Sequence, residues 1–235
     1  MFEFPHSQFL HTTGSDRSAP KTDSIWKAVG KQLQHPRGVL GMLIGALMAQ
    51  VNNRPNQTAI AALELTPSDH VLELGFGPGR SLRTMAKLAG HICGIDHSSS
   101  MLDYAIRTNL DDILQGKIEL VSGQFDFLPW AGETFDKVLL VNVVYFFDLE
   151  GRNIAEVFRV MRPGGRVAIY VTDRSTMEKW PFARPDTHRI FGSNELRALL
   201  AQGGFASSAV TLRDVALSFG GRGLIAMATK EGRST

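Results

Sequence analysis

The sequence predicts an α/β fold built on a mostly parallel sheet, and three observations predict it. Strand-like apolar runs alternate with helix patterns from residue 56 onward. One of those runs, Val71, Leu72 and Leu74, opens into Gly75, Gly77 and Gly79, spaced two apart. The next run closes on a carboxylate, Asp96, 21 residues after Gly75. Strands joined through helices require right-handed crossovers, which lays them parallel.

Each element follows from local pattern. Gln57 to Leu65 reads as helix, stopped by Thr66-Pro67. Strand one spans about 70 to 75, and a helix of about 80 to 89 follows, with Gly90 as terminator. Strand two is about 91 to 95. Ser98 to Asn109 reads as helix with Ser98 at its N-cap. Strands three and four are about 117 to 121 and 135 to 142. Leu149 to Met161 is helix, ended by Pro163-Gly164-Gly165, and strand five is about 166 to 172. Ser193 to Ala201 is helix with Ser193 at the N-cap and Gly203-Gly204 at its C-terminus. Two last strands, about 206 to 215 and 223 to 229, have no helix between them, so one of the seven strands should run antiparallel.

The chain has 235 residues, enough for one sizeable core with a small appendage. Apolar content of 43% and charged content of 20% are ordinary for a globular protein. A formal net charge of +2 gives no ground for a nucleic-acid or lipid surface. The single cysteine, Cys93, excludes an internal disulfide and sits in an apolar run, where a buried inert thiol is expected. The opening of the chain lacks a charged-then-apolar leader, so a cytoplasmic protein is expected.

The first 55 residues read as a tail and helical cap, separate from a domain at 56–235. Residues 1 to 24 read as a loose tail or, alternatively, as a flap over bound substrate. Residues 39 to 51 are the most apolar stretch but number 13, too few to cross a membrane, which takes about 20. They read as a packed helix.

Chemistry concentrates at strand ends. Glycines at 75, 77 and 79 permit positive φ and remove Cβ atoms from the path of a ligand. The dinucleotide spacing Gly-x-Gly-x-x-Gly fails in both registers, because the third position falls on Arg80 or Leu82. A phosphate-binding P-loop fails for want of Gly-Lys-Ser/Thr. Asp96, at the end of strand two, has the placement of an acid that accepts from both hydroxyls of a ribose. A helix-capping Asp is the alternative. Asn142 falls at the carboxyl end of strand four, where open parallel sheets bind ligands. The histidines lie scattered along the sequence, so no metal site is expected.

Glu73-x-Gly75-x-Gly77-x-Gly79 resembles motif I of the class I S-adenosylmethionine (SAM) methyltransferases. Gly94-Ile95-Asp96-x-Ser98-x-x-Met101-Leu102 resembles their motif II. Ser122-Gly123-Gln124-Phe125-Asp126-Phe127-Leu128-Pro129-Trp130 is similar to the family stretch Gly-Asp-Ala-x-x-Leu-Pro-Phe, with Gln124 in place of the Asp and Phe125 in place of the small residue. Met161-Arg162-Pro163-Gly164-Gly165 and Phe191 to Phe205 resemble the family's distal elements. The resemblance covers about 56 to 230.

It implies a three-layer Rossmann-like sandwich whose seven-stranded sheet has one antiparallel strand near the C-terminus, plus the N-terminal helical cap. It implies SAM as cofactor and S-adenosylhomocysteine as product. Glu73, Gly75, Phe76, Gly77, Gly79, Asp96, His97, Met101, Gln124, Phe125 and Asn142 would line the cofactor. Nucleic-acid amine methyltransferases carry Asp/Asn-Pro-Pro-Tyr/Phe after strand four. This chain has Asn142-Val143-Val144-Tyr145, so nucleic acid is not the expected partner. The expected acceptor is a small, aromatic or heteroaromatic metabolite, methylated on O or N. Alternatives are a lipid or quinone acceptor at a membrane surface, or SAM binding without catalysis. Tyr145 either shapes the transfer chamber or is a buried structural residue. His188, in the insertion 173 to 190, is the candidate general base, with a surface histidine as the alternative. A homodimer stays open.

Overall fold

The computed structural model describes residues 53–180, 189–217 and 220–232. Of the expected tail and cap at 1–55, residues 1–52 lie outside the described residues, as does the candidate base His188. The described residues open with α1 (Asn53–Leu63), then β1 (His70–Leu74), α2 (Arg80–Met85) and β2 (His91–Asp96). Two helices, α3 (Ser99–Thr108) and α4 (Leu110–Leu114), lead to β3 (Ile118–Ser122). After β4 (Phe135–Val141) come a 3-10 turn at Val144–Phe146, α5 (Arg152–Val160), β5 (Met161–Thr172) and α6 (Arg174–Met177). The chain ends with α7 (Ser193–Gln202), β6 (Val210–Ala216) and β7 (Arg222–Thr229).

The seven strands form one sheet in the order β3-β2-β1-β4-β5-β7-β6. Pairs among β1 to β5 are parallel, while β7 runs antiparallel to both β5 and β6. This is the expected seven-stranded sheet with one reversed strand. The reversal follows from the short β6–β7 connection, which has no room for a crossover.

Central strands are covered on both faces and are therefore apolar on both. Val71 and Leu72, like Val138, Leu139 and Leu140, have no exposed surface. Alternate residues point to opposite faces. Leu72, Leu74, Val138, Leu140, Val167 and Ile169 join Ile154, Val157 and Val160 of α5 and Leu196, Leu199 and Leu200 of α7. Val71, Leu139, Ala168 and Tyr170 join Ala59, Ile60 and Leu63 of α1 and Leu82 and Met85 of α2. The link from β3 to β4, residues 123–134, carries no helix.

Several bounds differ from the sequence reading. Strand β5 begins at Met161 and runs through Pro163-Gly164-Gly165, because Met161 already pairs with Phe135 before a register shift. Helix α7 begins at Ser193 as expected, but its cap lies one residue earlier. Gly192, not Ser193, is its N-cap, and the Gly192 amide donates to Glu195 Oε2 at 3.0 Å. Helix α2 stops at Met85, well short of Gly90. Ser98 does cap α3, its side chain accepting from the Met101 amide. No helix among the described residues is long and apolar enough to cross a membrane.

Candidate functional site

Strand order reverses between β1 and β4: the chain leaves β1 toward β2 and β3, then returns to β4 on the other side. Such a switch point opens a crevice outside the carboxyl ends of the strands. The loops after β1, β2, β4 and β5 meet there.

Gly75 and Gly77 both have positive φ, 69° and 52°. The Gly75 amide donates to Ile95 O at 2.8 Å, tying the glycine loop to the end of β2. A Cβ on Gly75 would stand 2.6 Å from Val143 Cγ2, so the loops after β1 and β4 close-pack through that missing atom. A Cβ on Gly77 would meet nothing within 4 Å. Gly77 therefore faces open space while Gly75 is a packing contact. Gly79 is the N-cap of α2.

Asp96 is buried at 5% exposure. Its Oδ2 accepts the Gly77 amide at 2.8 Å and its Oδ1 the Ser98 amide at 2.9 Å. Burial pushes its pKa up against the pull of these amides. Beneath it lies Glu73, 3% exposed. Glu73 Oε1 accepts from Ser81 Oγ at 2.6 Å, while its buried Oε2 has no hydrogen-bond partner. Desolvation pushes the Glu73 carboxyl up to about 8, with the Asp96 charge adding to the rise.

The remaining expected cofactor residues distribute unevenly around this centre. His97 Nδ1 lies 3.9 Å from Asp96 Oδ1, and its ring meets Phe125 edge-on at 6.0 Å. Met101 is buried in the first turn of α3. Phe125 is buried and Gln124, its neighbour, is exposed. The Phe76 side chain is turned into the core on the Val71 face, where a Cβ on Gly94 would come within 2.7 Å of its ring. Phe76 thus reaches the crevice through its backbone.

Asn142 holds a left-handed conformation, φ 56°. The Tyr145 hydroxyl donates to Asn142 Oδ1 at 2.8 Å and accepts from the Thr172 amide at 2.5 Å. Burial raises the Tyr145 pKa above that of a free phenol, so it stays a neutral bridge between the ends of β4 and β5. Aromatic rings gather around it: Phe146 at 6.2 Å and Phe191 at 6.2 Å, with Arg189 over the Phe191 ring. Phe125 meets Phe147 at 6.1 Å. The described ends of the insertion are anchored at Arg222 of β7 and at this loop. Asp173 accepts from Ser175 and Arg222, and the Arg189 amide donates to Tyr145 O at 3.0 Å.

Sequence reasoning missed three partners. Ser81 has a usable signal, a hydroxyl in the first turn after the glycine loop, eight residues from Glu73. Val143 and Thr172 have none, because only the strand order brings them to Gly75 and Tyr145.

An acid at the end of β2, an open glycine loop and a buried carboxyl group with one unpartnered oxygen suit a nucleoside-bearing cation. The Asp96 carboxylate accepts from the Gly77, Ser98 and His97 amides and, with about four lone-pair positions, retains capacity for a further donor. The fold and crevice together define a class I nucleotide-binding α/β enzyme. Residues 72–169 match the methyltransferase domain family. The chain is 31% identical over 164 residues to an uncharacterised methyltransferase, YdaC, of Bacillus subtilis, covering 69% of this chain and 86% of that one. It is 30% identical to an arsenite methyltransferase of Halobacterium salinarum, covering 70% of this chain but only 44% of the relative. Among solved structures, a Haloferax volcanii chain in complex with the Trm112 methyltransferase activator shares the fold, with TM-score 0.72 and 18% identity over 83% of this chain and 96% of that one. The chain belongs to the class I SAM-dependent methyltransferases, and SAM is its cofactor.

Proposed function

We propose that this enzyme methylates O or N of a small aromatic or heteroaromatic metabolite. The observation that supports the reading is the half-buried ring of Phe146 beside the glycine crevice, backed by the buried rings of Tyr145 and Phe191 at the ends of β4 and β5. Flat apolar walls bind flat rings and exclude water from the reacting pair.

When bound, SAM supplies a methyl group on a cationic sulfur, already activated for in-line displacement. What this chain must do is align two partners, a large rate term by itself. Asp96 accepts from the ribose hydroxyls while its existing bonds to Gly77 and Ser98 keep it aimed. The Gly77 backbone approaches without a Cβ. Glu73 places a carboxyl group near the cationic end of the cofactor. Met101, His97 and Phe125 flank the adenine, with Gln124 offering an amide acceptor. Tyr145 acts as a positioning residue: it holds Asn142 at the mouth of the crevice. His188 is the proposed base for acceptors that must lose a proton, and a His188→Ala pH–rate profile lacking its acidic limb would support that role.

A second reading, a lipid or quinone acceptor, is favoured by one observation. Phe127 and Leu149, each two residues past a member of the Phe125–Phe147 pair, are 77% and 72% exposed. Two other relatives are a sterol 24-C-methyltransferase of Neurospora crassa, 32% identical, and a demethylmenaquinone methyltransferase of Lactobacillus johnsonii, 29% identical. This chain spans 27% and 48% of their lengths.

Calorimetry tests the cofactor: SAM and S-adenosylhomocysteine bind, and NAD does not. Turnover of labelled SAM against pooled aromatic metabolites, with and without vesicles carrying quinone or sterol, tests the acceptor. Label entering only the vesicle lipids would overturn the small-metabolite reading.

A further inference from the structure

The opposite end of the sheet carries a second constellation. His91 and Cys93 lie two residues apart on β2, so they share one face. Glu119 on β3 is the register partner of Cys93. The strand pairing thus brings an imidazole, a thiol and a carboxylate to one place, with ligand atoms all within 4.8 Å of one another. His91 Nε2 stands 3.9 Å from Glu119 Oε2.

The imidazole is already oriented. His91 Nδ1 is 3.1 Å from Gly116 O. A carbonyl only accepts, so Nδ1 carries the hydrogen, and in the neutral ring the Nε2 lone pair faces the Glu119 carboxylate. Backbone-carbonyl fixation of the distal ring nitrogen is the usual support of a metal-bound histidine. The arrangement is also open on one side. Because no helix covers the β3–β4 link, the side chains of His91 and Glu119 keep 31% and 57% exposure, while Cys93 is buried beneath them.

We propose that His91 Nε2, Cys93 Sγ and Glu119 bind a borderline-soft divalent cation of the zinc type, with water as the fourth ligand. Nitrogen, sulfur and oxygen donors in this number match that ion. Tetrahedral zinc with its usual bond lengths sets donors about 3.3–3.7 Å apart. The approach needed is about 1 Å, within reach of side-chain rotation at the partly exposed His91 and the exposed Glu119. On binding, Cys93 coordinates as thiolate and its proton leaves to solvent. The site clamps the edge strand β3 to β2. Its β2 ligands lie three and five residues from Asp96, about 10 and 16 Å at roughly 3.3 Å per residue, so it is separate from methyl transfer.

The test is a Co2+ titration of the full chain under reducing conditions, followed by displacement with Zn2+. A thiolate-to-cobalt charge-transfer band at one equivalent is expected, and it reports Cys93 alone because the sequence has one cysteine. Cys93→Ser abolishes the band. Glu119→Gln weakens binding by about tenfold or more and His91→Gln by about a hundredfold or more, since loss of a ligand costs at least what loss of an outer-shell partner does. Zn2+ raises the melting temperature of the parent most, that of Glu119→Gln and His91→Gln less, and that of Cys93→Ser not at all. SAM affinity is unchanged throughout. Glu119→Gln, at an exposed position, keeps the test decisive if Cys93→Ser does not fold. Absence of the band, or a band that both Glu119→Gln and His91→Gln leave unchanged, would overturn the proposal.

Discussion

The amide of Gly77 donates to Asp96 Oδ2 at 2.8 Å, joining the glycine loop to the acid at the end of the neighbouring strand. Loop and acid are therefore one unit, and neither can be altered alone.

Asp96→Ala removes acceptors from Gly77, Ser98 and the ribose together. SAM affinity should fall by roughly ten- to a thousandfold, at 1.4 kcal/mol per decade. Stability should fall too, by about 1–3 kcal/mol, because two buried amides lose their partner. Asp96→Asn should also lose stability, since its amide group must face one of two N–H donors. SAM titration of each folded variant beside a urea melt checks all three. Unchanged affinity in Asp96→Ala would place the ribose elsewhere.

Glycine substitutions should separate packing from binding. Gly75→Ala combines positive φ with a Cβ 2.6 Å from Val143, and should cost roughly 2–4 kcal/mol of stability. Gly77→Ala meets no neighbour, so its stability loss should be only about 1 kcal/mol while SAM affinity drops. Equal affinities in the Gly77→Ala variant and its parent would remove Gly77 from the cofactor wall.

Glu73 imposes a pH dependence. Its carboxyl is pushed from its ordinary 4.5 up to about 8, so the folded chain binds the proton more tightly than the unfolded one. The associated stability is complete below about pH 4.5 and is lost as pH rises through about 8. A tenfold difference in proton affinity is worth about 1.4 kcal/mol, so the whole rise amounts to a few kcal/mol. Denaturation of the cofactor-free protein across this range should show the decline, and Glu73→Gln should flatten it. An equally steep decline in Glu73→Gln would assign the effect to another group.

Tyr145→Phe deletes the bridge from Asn142 to the Thr172 amide. A stability loss of about 1–3 kcal/mol is expected from the stranded buried donor. If Tyr145 only positions, kcat should fall by roughly tenfold, a loss of about 1.4 kcal/mol in transition-state stabilisation, with the pH–rate profile unmoved. Loss of one limb of that profile would make Tyr145 a proton-transfer group instead.

Much of the sheet was legible because its centre is buried on both faces, which leaves unbroken apolar runs such as Val138-Leu139-Leu140. The early start of β5 was not. Pro163-Gly164-Gly165 carries every local sign of a stop, and it is pairing of Met161 with Phe135 and of Gly164-Gly165 with Lys230 that keeps the stretch extended. At the site, Asp96 and the glycines announce themselves by spacing from a strand end. The Asp96–Gly77 bond and the Val143 contact depend on the switch in strand order. The expectation of no metal site has the same origin. His91 and Cys93 are neighbours in sequence, but Glu119 reaches them only through the register of β2 with β3, so the proposed cation site stands against that expectation.

The β1–β4 pair also bears on time. It aligns Val71 with Lys137, 66 residues along the chain, whereas β6 and β7 meet across a short turn. Distant parallel pairing forms slowly, because the chain entropy of closing a long loop comes first. The crevice exists only once that pair has zipped. A growing or refolding chain can therefore own its hairpin and helices yet have no place for a cofactor, so SAM can act as a trap for the finished fold but not as a template for making it.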